Sequence, residues 1–414
     1  VKKWLAEMVA VLLVLSTAPG AAAASINEQK VRLGIEVLLE DQINLINGKR
    51  VGLITNPTGV NQQLTSIVDI LYHHPAVKLT ALFGPEHGVR GSAPAGSVVE
   101  SYLDEKTRIP VYSLYGKTKK PTPEMLANVD VLVFDIQDAG ARFYTYIYTL
   151  ALAMEAAKEN HIPLIVLDRP NPIDGIKVEG PILEKKYSSF IGKYPIPVRH
   201  GMTVGELAQL FNKEFNIGAD LTVVKMEGWK RRMYYDEISL PFVMLSPNIP
   251  TLDTAMVYSG SALLEGTNIS EGRGTAKPFE LLGAPFINGE DLAGKLNSYH
   301  LPGVVFRAAS FIPTASKHGN KLCQGIQIHV TNHNSYRPFE TGLYIVKTIH
   351  DMYPDQFRFL TPNSAGISFF DTLVGNGSIR TAIEIGKSIE HMKQEWQPAL
   401  DEFLKIRKQY LLYK

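Results

Sequence analysis

The stretch Ala81-Leu82-Phe83-Gly84-Pro85-Glu86-His87-Gly88-Val89-Arg90-Gly91 closes an apolar run that starts at Val77 with a Gly-Pro turn, and then sets a carboxylate and an imidazole between two glycines. It reads as a β-strand that delivers Glu86 and His87 to its carboxyl end. In open parallel α/β sheets the ligand crevice lies outside the carboxyl ends of the strands, so polar residues placed there are candidates for chemistry. Three further apolar runs end the same way. Val51 to Ile54 runs into Thr55-Asn56-Pro57, Val129 to Phe134 into Asp135-Ile136-Gln137-Asp138-Ala139-Gly140, and Ile162 to Leu167 into Asp168-Arg169-Pro170-Asn171-Pro172. Four such strands in one sheet would place their polar tips on one rim.

The segments between these runs carry helical period. Val31, Leu33, Ile35 and Leu38 precede the first run, and Ile67, Ile70 and Leu71 precede the second. Pro110 to Leu114 is a further short strand, Thr122-Pro123-Glu124 starts a helix through Leu126, and Tyr144 to Glu159 is a long helix. Alternating strand and helix predicts an α/β domain built on a mostly parallel sheet with helices on both faces. Farther on come a helix from Thr203 to Phe215, a strand from Leu221 to Met226, and a proline-rich ordered loop at Ser246-Pro247-Asn248-Ile249-Pro250. Beyond about Lys277 the pattern changes to a helix (Glu290 to Ser298), two antiparallel strands (Val304 to Ile312, Gly325 to Thr331) and helices over Thr341 to Met352 and Thr381 to Tyr410. The expected division is residues 25–276 for the α/β domain and 277–414 for a smaller α+β auxiliary domain.

The N-terminus has two lysines, an apolar run from Met8 to Leu15 and a small-residue tract ending Ala21-Ala22-Ala23-Ala24-Ser25. That is the pattern of a secretory signal peptide over residues 1–24, with an apolar run too short to span a bilayer. Export to the extracellular or cell-wall space, without lasting membrane insertion, is the expectation. Cys323 is the one cysteine, so there is no disulfide framework. With 42 basic against 41 acidic residues the chain has no field to attract nucleic acid.

Several chemistries lack their residues. The first strand is followed by Asn56-Pro57-Thr58-Gly59 rather than G-x-G-x-x-G; G-x-S-x-G, S-x-x-K and H-E-x-x-H do not occur, and the 11 histidines include no His-x-His pair. Carboxylates remain. Glu86 suits a general acid in a dry cleft with His87 beside it, or else an acid capping the next element. Asp135 and Asp138 offer further carboxylates, with capping and ligand contact both open for Asp135. Arg142, Arg169 and Arg273 could hold a substrate carboxylate in bidentate fashion or pair with a neighbour, the neighbour for Arg169 being Asp168. Phe143, Tyr144, Tyr146 and Tyr148 suit the apolar face of a sugar, although core packing is the plainer reading for Tyr146 and Tyr148. The loop Glu265 to Thr275, with Asn268, Glu271 and Arg273 among glycines, is a candidate ligand loop.

Taken together, F-G-P-E-H-G, F-D-I-Q-D-A-G-A-R-F-Y-T-Y, L-D-R-P-N-P, R-H-G-M-T-V-G-E-L, S-P-N-I-P-T and E-G-T-N-I-S-E-G-R-G-T resemble, in order, the secreted exo-β-N-acetylmuramidases of the NamZ family, glycoside hydrolase family 171. The resemblance covers essentially the whole chain after residue 24. It implies a Rossmann-like domain with an auxiliary domain and a cleft between them. It implies release of N-acetylmuramic acid from the non-reducing ends of peptidoglycan-derived saccharides, with no metal or organic cofactor. By motif, Glu86 becomes the acid/base, with His87, Asp135 and Asp138 as its catalytic neighbours. Gln137, Arg142, Tyr144, Asp168, Arg169, Asn268 and Arg273 become substrate contacts, joined by Asn56 as a strand-tip candidate. Two positions depart from the family pattern: Ser259 stands in Tyr-Ser-Gly where Tyr-Pro-Gly is expected, and Glu271 replaces an often uncharged residue, which argues against Glu271 as an essential acid. A non-catalytic sugar or muropeptide receptor with two lobes around a cleft, and an amidase or esterase acting on the wall, are the alternatives.

Overall fold

The structure is a computed structural model and describes residues 30–91 and 100–414; the signal-peptide expectation lies outside the described residues. Among the described residues, ten strands run β1 (Arg50–Thr55), β2 (Lys78–Gly84), β3 (Tyr102–Leu103), β4 (Pro110–Ser113), β5 (Val131–Asp135), β6 (Leu164–Leu167), β7 (Leu221–Val224), β8 (Leu281–Ala284), β9 (Val304–Phe311) and β10 (Cys323–Val330). The helices are α1 (Gly34–Asp41), α2 (Ile67–His73), α3 (Pro123–Leu126), α4 (Tyr146–Glu159), α5 (Val204–Glu214), α6 (Leu252–Ser261), α7 (Gly289–Asn297), α8 (Pro338–Met352), α9 (Phe369–Val374), α10 (Ser378–Glu384) and α11 (Ile389–Arg407).

Seven strands form one sheet in the order β3-β4-β2-β1-β5-β6-β7. All neighbours are parallel except the edge pair β3 and β4. Every residue of β5 and β6 is buried, which is why both read as unbroken apolar runs: a strand covered on both faces has no solvent side to carry polar residues. Alternate side chains feed two cores. Leu53, Val131, Val133 and Ile165 pack with Ile35 and Leu38 of α1 and Ile67 and Leu71 of α2. Ile54, Phe83, Leu132, Phe134 and Val166 pack on the other face with Leu150 and Met154 of α4. From β1 the chain winds outward through β2 to β4, then returns to β5 and winds the other way. The order therefore reverses between β1 and β5, and the four polar tips named above sit around that switch point, where such sheets bind ligands.

The remaining strands form a three-stranded antiparallel sheet, β8-β10-β9. Its core residues Leu282, Phe306 and Ile326 belong to the same apolar cluster as Leu150 of α4 and Leu343 of α8, and residues 31–414 form one compact unit. Helices α6 and α8 cross where Gly260 meets Gly342. A Cβ on Gly260 would sit 1.9 Å from the Pro338 carbonyl oxygen, so only glycine permits that approach.

Four elements were not expected from the sequence: β3, β8, α6 and α9. They carry no clear period: β3 has two residues, and β8, α6 and α9 are largely buried. The expected helix over Thr381 to Tyr410 is two helices. Gly386 takes φ +76°, a left-handed residue of the kind that ends helices, and the Ser388 hydroxyl accepts from the His391 N–H to cap α11. The helix expected from Tyr144 begins at Tyr146, because residues 141–145 turn the chain out of the β5 tip. Among the described residues no helix is long and apolar enough to cross a membrane.

Candidate active site

At the end of β2, Pro85 to Gly88 form a tight turn closed by the Gly88 N–H donating to the Pro85 carbonyl at 2.9 Å. Its third residue, His87, takes φ +72°, a conformation that the turn normally gives to glycine and that costs a non-glycine residue roughly 1–2 kcal/mol. The turn buries the imidazole and leaves Glu86 partly exposed. Glu86 lines a cleft of about 230 Å³ with His87, Tyr115, Tyr144, Tyr146, Phe190, Tyr258, Glu265 and Arg273.

Aromatic groups surround the acid. Tyr115, just past β4, hydrogen-bonds to the Glu86 side chain; burial first, and then the Glu86 charge and that bond, push the Tyr115 hydroxyl up. The Tyr146 hydroxyl lies 3.4 Å from the Glu86 carbonyl oxygen. Tyr144 stands edge-on to Tyr146 with ring centres 4.8 Å apart and donates to the Leu245 carbonyl at 2.6 Å. The ring of Phe190 lies beneath the Lys119 ammonium at 3.8 Å. The opposite wall carries Arg273, which pairs with Glu265 and, at 3.2 Å, with Glu271, over the ring of Phe279. Burial pushes the Glu265 carboxyl up against the opposing pull of Arg273. Glu271 itself is 2% exposed and also meets Lys317 at 2.9 Å.

The tips of β1, β5 and β6 are spent differently. Asp135 is fully buried and takes both Nε and Nη2 of Arg169, whose Nη2 also donates to the Val60 carbonyl. Arg169 is thus paired with Asp135 across the sheet, not with its neighbour Asp168. Asp168 accepts from Thr203 Oγ1 at 2.7 Å, the Gly205 N–H at 2.8 Å, the Arg169 N–H and the Tyr413 hydroxyl. Burial nevertheless pushes its carboxyl up to about 6. Asn56 Oδ1 accepts from the Thr58 N–H and Oγ1. Gln137 donates to the carbonyls of Asp138 and Pro170. Arg142 has no exposed surface; its guanidinium donates to the carbonyls of Pro181, Ile196 and Leu373, and burial pushes it down to about 10. Asn268 clamps a neighbouring loop by donating to the Gln356 carbonyl and accepting from the Arg358 N–H.

Asp138 lies between these groups. Its Oδ2 accepts from the Gly140 N–H at 2.7 Å, while its Oδ1 is buried with no hydrogen-bond partner. Gly140 takes φ +80°, and a Cβ there would lie 2.7 Å from Asn171 Oδ1. The Asp138 charge acts on the hydroxyls of Tyr144 and Tyr258, both cleft residues.

Of the residues expected at the site, then, Glu86, His87, Tyr144 and Arg273 line one cleft, whereas Asp138 is buried and connects to it only through its charge on Tyr144 and Tyr258. Asn56, Asp135, Gln137, Arg142, Asp168, Arg169 and Asn268 are engaged in internal bonds. Tyr115, Phe190 and Glu265 line the cleft without having been assigned a role from the sequence. Glu265 opens the glycine-rich loop and was legible as one of its polar residues. Tyr115 and Phe190 lie in irregular segments where no spacing marks them. Among the described residues, no group of His, Cys, Asp and Glu side chains is arranged to hold a metal.

Comparison with known proteins matches residues 51–253 to the family described as exo-β-N-acetylmuramidase NamZ, N-terminal, and residues 256–413 to its C-terminal counterpart. The peptidoglycan β-N-acetylmuramidase NamZ of Bacillus subtilis is 61% identical over 398 residues, covering 96% of this chain and 95% of that protein. A crystal structure of a DUF1343 family protein from Bacteroides fragilis matches with a TM-score of 0.85 at 42% identity, covering 93% of this chain and 99% of the other. A second protein of that family and organism matches with a TM-score of 0.74 at 32% identity.

Proposed function

The chain belongs to the exo-β-N-acetylmuramidase NamZ family, and from that premise we propose that it is an exported glycoside hydrolase that removes N-acetylmuramic acid from the non-reducing ends of peptidoglycan glycan fragments during wall turnover. The observation that carries the reading is Glu86, held at the switch-point rim by a strained turn, hydrogen-bonded to Tyr115 and open to a cleft walled by aromatic rings. Sugar rings stack an apolar face on such groups, and the leaving glycosidic oxygen needs a proton as its bond to the anomeric carbon breaks.

Glycosidases use a second group to stabilise the oxocarbenium-like centre, either a protein carboxylate or the substrate's own 2-acetamido carbonyl, which the protein then orients. Asp135 is committed to Arg169, whereas Asp138 keeps a buried oxygen without a partner. A buried acceptor left unbonded costs about 1–3 kcal/mol, a cost relieved when a substrate N–H arrives. We assign Asp138 as the group that receives the acetamido N–H. Arg273, the arginine of the three candidates that lines the cleft, is assigned to the lactyl carboxylate that distinguishes muramic acid from N-acetylglucosamine.

Incubation with a chromogenic N-acetylmuramic acid glycoside tests the activity. Release of the aglycone supports it, and tight binding without turnover would point to a receptor instead. Arg273→Met is expected to reduce the preference for muramic acid over N-acetylglucosamine by roughly tenfold or more; an unchanged preference would remove Arg273 from that role. Sequencing of the protein recovered from medium or wall extracts is expected to find an N-terminus near Ser25.

A further inference from the structure

We infer that His200, a residue outside the cleft, positions Asp138 for this reaction by holding one of its carboxylate oxygens so that the other faces the substrate amide. The inference rests on the glycosidase reading above. His200 has no exposed surface, and its Nε2 lies 3.2 Å from Asp138 Oδ2. Its other nitrogen is accounted for: the Met202 N–H donates to Nδ1 at 3.2 Å. A nitrogen that accepts cannot also carry the proton, so the hydrogen of the imidazole sits on Nε2, toward Asp138.

The contact is within reach but out of line, since Nε2 makes no well-directed hydrogen bond and Asp138 Oδ1 has none at all. Two polar groups, His200 Nε2 and Asp138 Oδ1, are thus held without a bond in a dry setting. Catalytic contacts are often long or misaligned in a free enzyme and tighten in the complex. When a substrate N–H reaches Oδ1, which the free chain keeps from solvent, a turn of the carboxylate that brings Oδ2 onto the His200 N–H satisfies both at once. The Gly140 N–H on the same Oδ2 limits the carboxylate to that motion. His200 touches no cleft residue's reacting atom and moves no proton; it fixes an angle.

Two substitutions separate this role from a structural one, because each keeps one half of the imidazole. The amide oxygen of His200→Asn can still accept from Met202 but cannot reach Asp138. The longer His200→Gln can present its amide N–H to Asp138 at the expense of the backbone bond. Positioning predicts that the Gln protein keeps kcat within about threefold of wild type while the Asn protein loses roughly 10- to 100-fold, the scale on which a displacement of about 1 Å acts. KM should change little in either, because the loss falls in the transition state. The loss in the Asn protein should also largely vanish in an Asp138→Asn background, where there is no carboxylate left to orient. The opposite order of the two variants, wild-type kcat in the Asn protein, or losses that multiply with Asp138→Asn would each overturn the inference. If the Gln protein does not fold, the double substitution decides alone. A wild-type chain that turns over no muramyl glycoside would instead remove the glycosidase reading itself.

Discussion

The tips of β2 and β5 are the same kind of object in sequence, a buried apolar strand that ends in carboxylates and glycine, and the fold uses them in different ways. At β2, the Pro85–Gly88 turn holds Glu86 at the cleft surface with His87 strained behind it. At β5, Asp135 is fully buried and taken up by Arg169, and Gln137 is bonded to backbone carbonyls. The difference lies in what surrounds each tip. β5 is central and has β1 and β6 on either side, whose own polar ends reach it; Thr55 Oγ1, for instance, donates to the Asp135 carbonyl at 2.8 Å. Whether a rim carboxylate stays at the cleft surface or is drawn inward depends on which strands flank its own, and so on sheet order, not on the strand's own residues.

The contrast breaks most readily at Glu86. Glu86→Gln keeps the shape and removes the proton donor, so kcat on the natural disaccharide is expected to fall by roughly 10²-fold or more. A substrate with a strongly acidic phenol leaving group, which needs little protonation, should lose far less. Equal losses on both substrates, or full activity, would transfer the acid role to another carboxylate of the cleft.

A second test concerns the arginine on the inward-facing side. Arg142→Met withdraws a donor from three buried carbonyls, of which that of Ile196 keeps the Leu183 N–H, and is expected to destabilise the fold by about 3–5 kcal/mol. Denaturant unfolding would measure the loss. Activity per folded molecule should be retained; a selective loss of kcat at unchanged stability would show that Arg142 serves the substrate after all.

The smallest effect is a pH dependence. The Asp168 carboxyl is pushed up to about 6 by burial, above the value near 4 of an unfolded chain. Between those values the folded protein holds a proton that the unfolded chain has released. The contribution of this group is therefore fully present below about pH 4, is lost as pH rises toward 6, and is constant above. Relative to wild type, Asp168→Asn should gain about 2–3 kcal/mol between pH 4 and pH 7. A difference that is flat with pH would show that the hydrogen-bond donors of Asp168 offset its burial.

The parallel sheet was legible because its strands are covered on both faces, and burial of that kind writes long apolar runs such as Val129 to Phe134. The place of Glu86 at the strand-tip rim was legible because it directly follows such a run and its Gly-Pro turn. The inward use of Arg142, Asp168 and Arg169 was not. Their partners are the carbonyl of Leu373, the hydroxyl of Tyr413 and the carboxylate of Asp135, which lie 231, 245 and 34 residues away along the chain. No local spacing reports a contact of that range. The break at Gly386-Lys387-Ser388 could have been read, since a glycine followed by a capping serine is a helix stop and start. The strand β8 could not, because four residues with Gly283 among them carry too little pattern.

Arg142 also sets an order of events during synthesis. Two of the carbonyls that receive its guanidinium, those of Pro181 and Ile196, are made soon after it, but the third, on Leu373 at the end of α9, follows far later. Next to it Gly375 turns the chain so closely past the guanidinium that a Cβ would lie 2.6 Å from Nη2. A nascent chain halted before this point would hold a buried cation with part of its shell missing, so the long sheet is not finished when its last strand is made. The shell of Arg142 is thus completed only when the C-terminal helices pack, a long-range closure of the kind that slows folding.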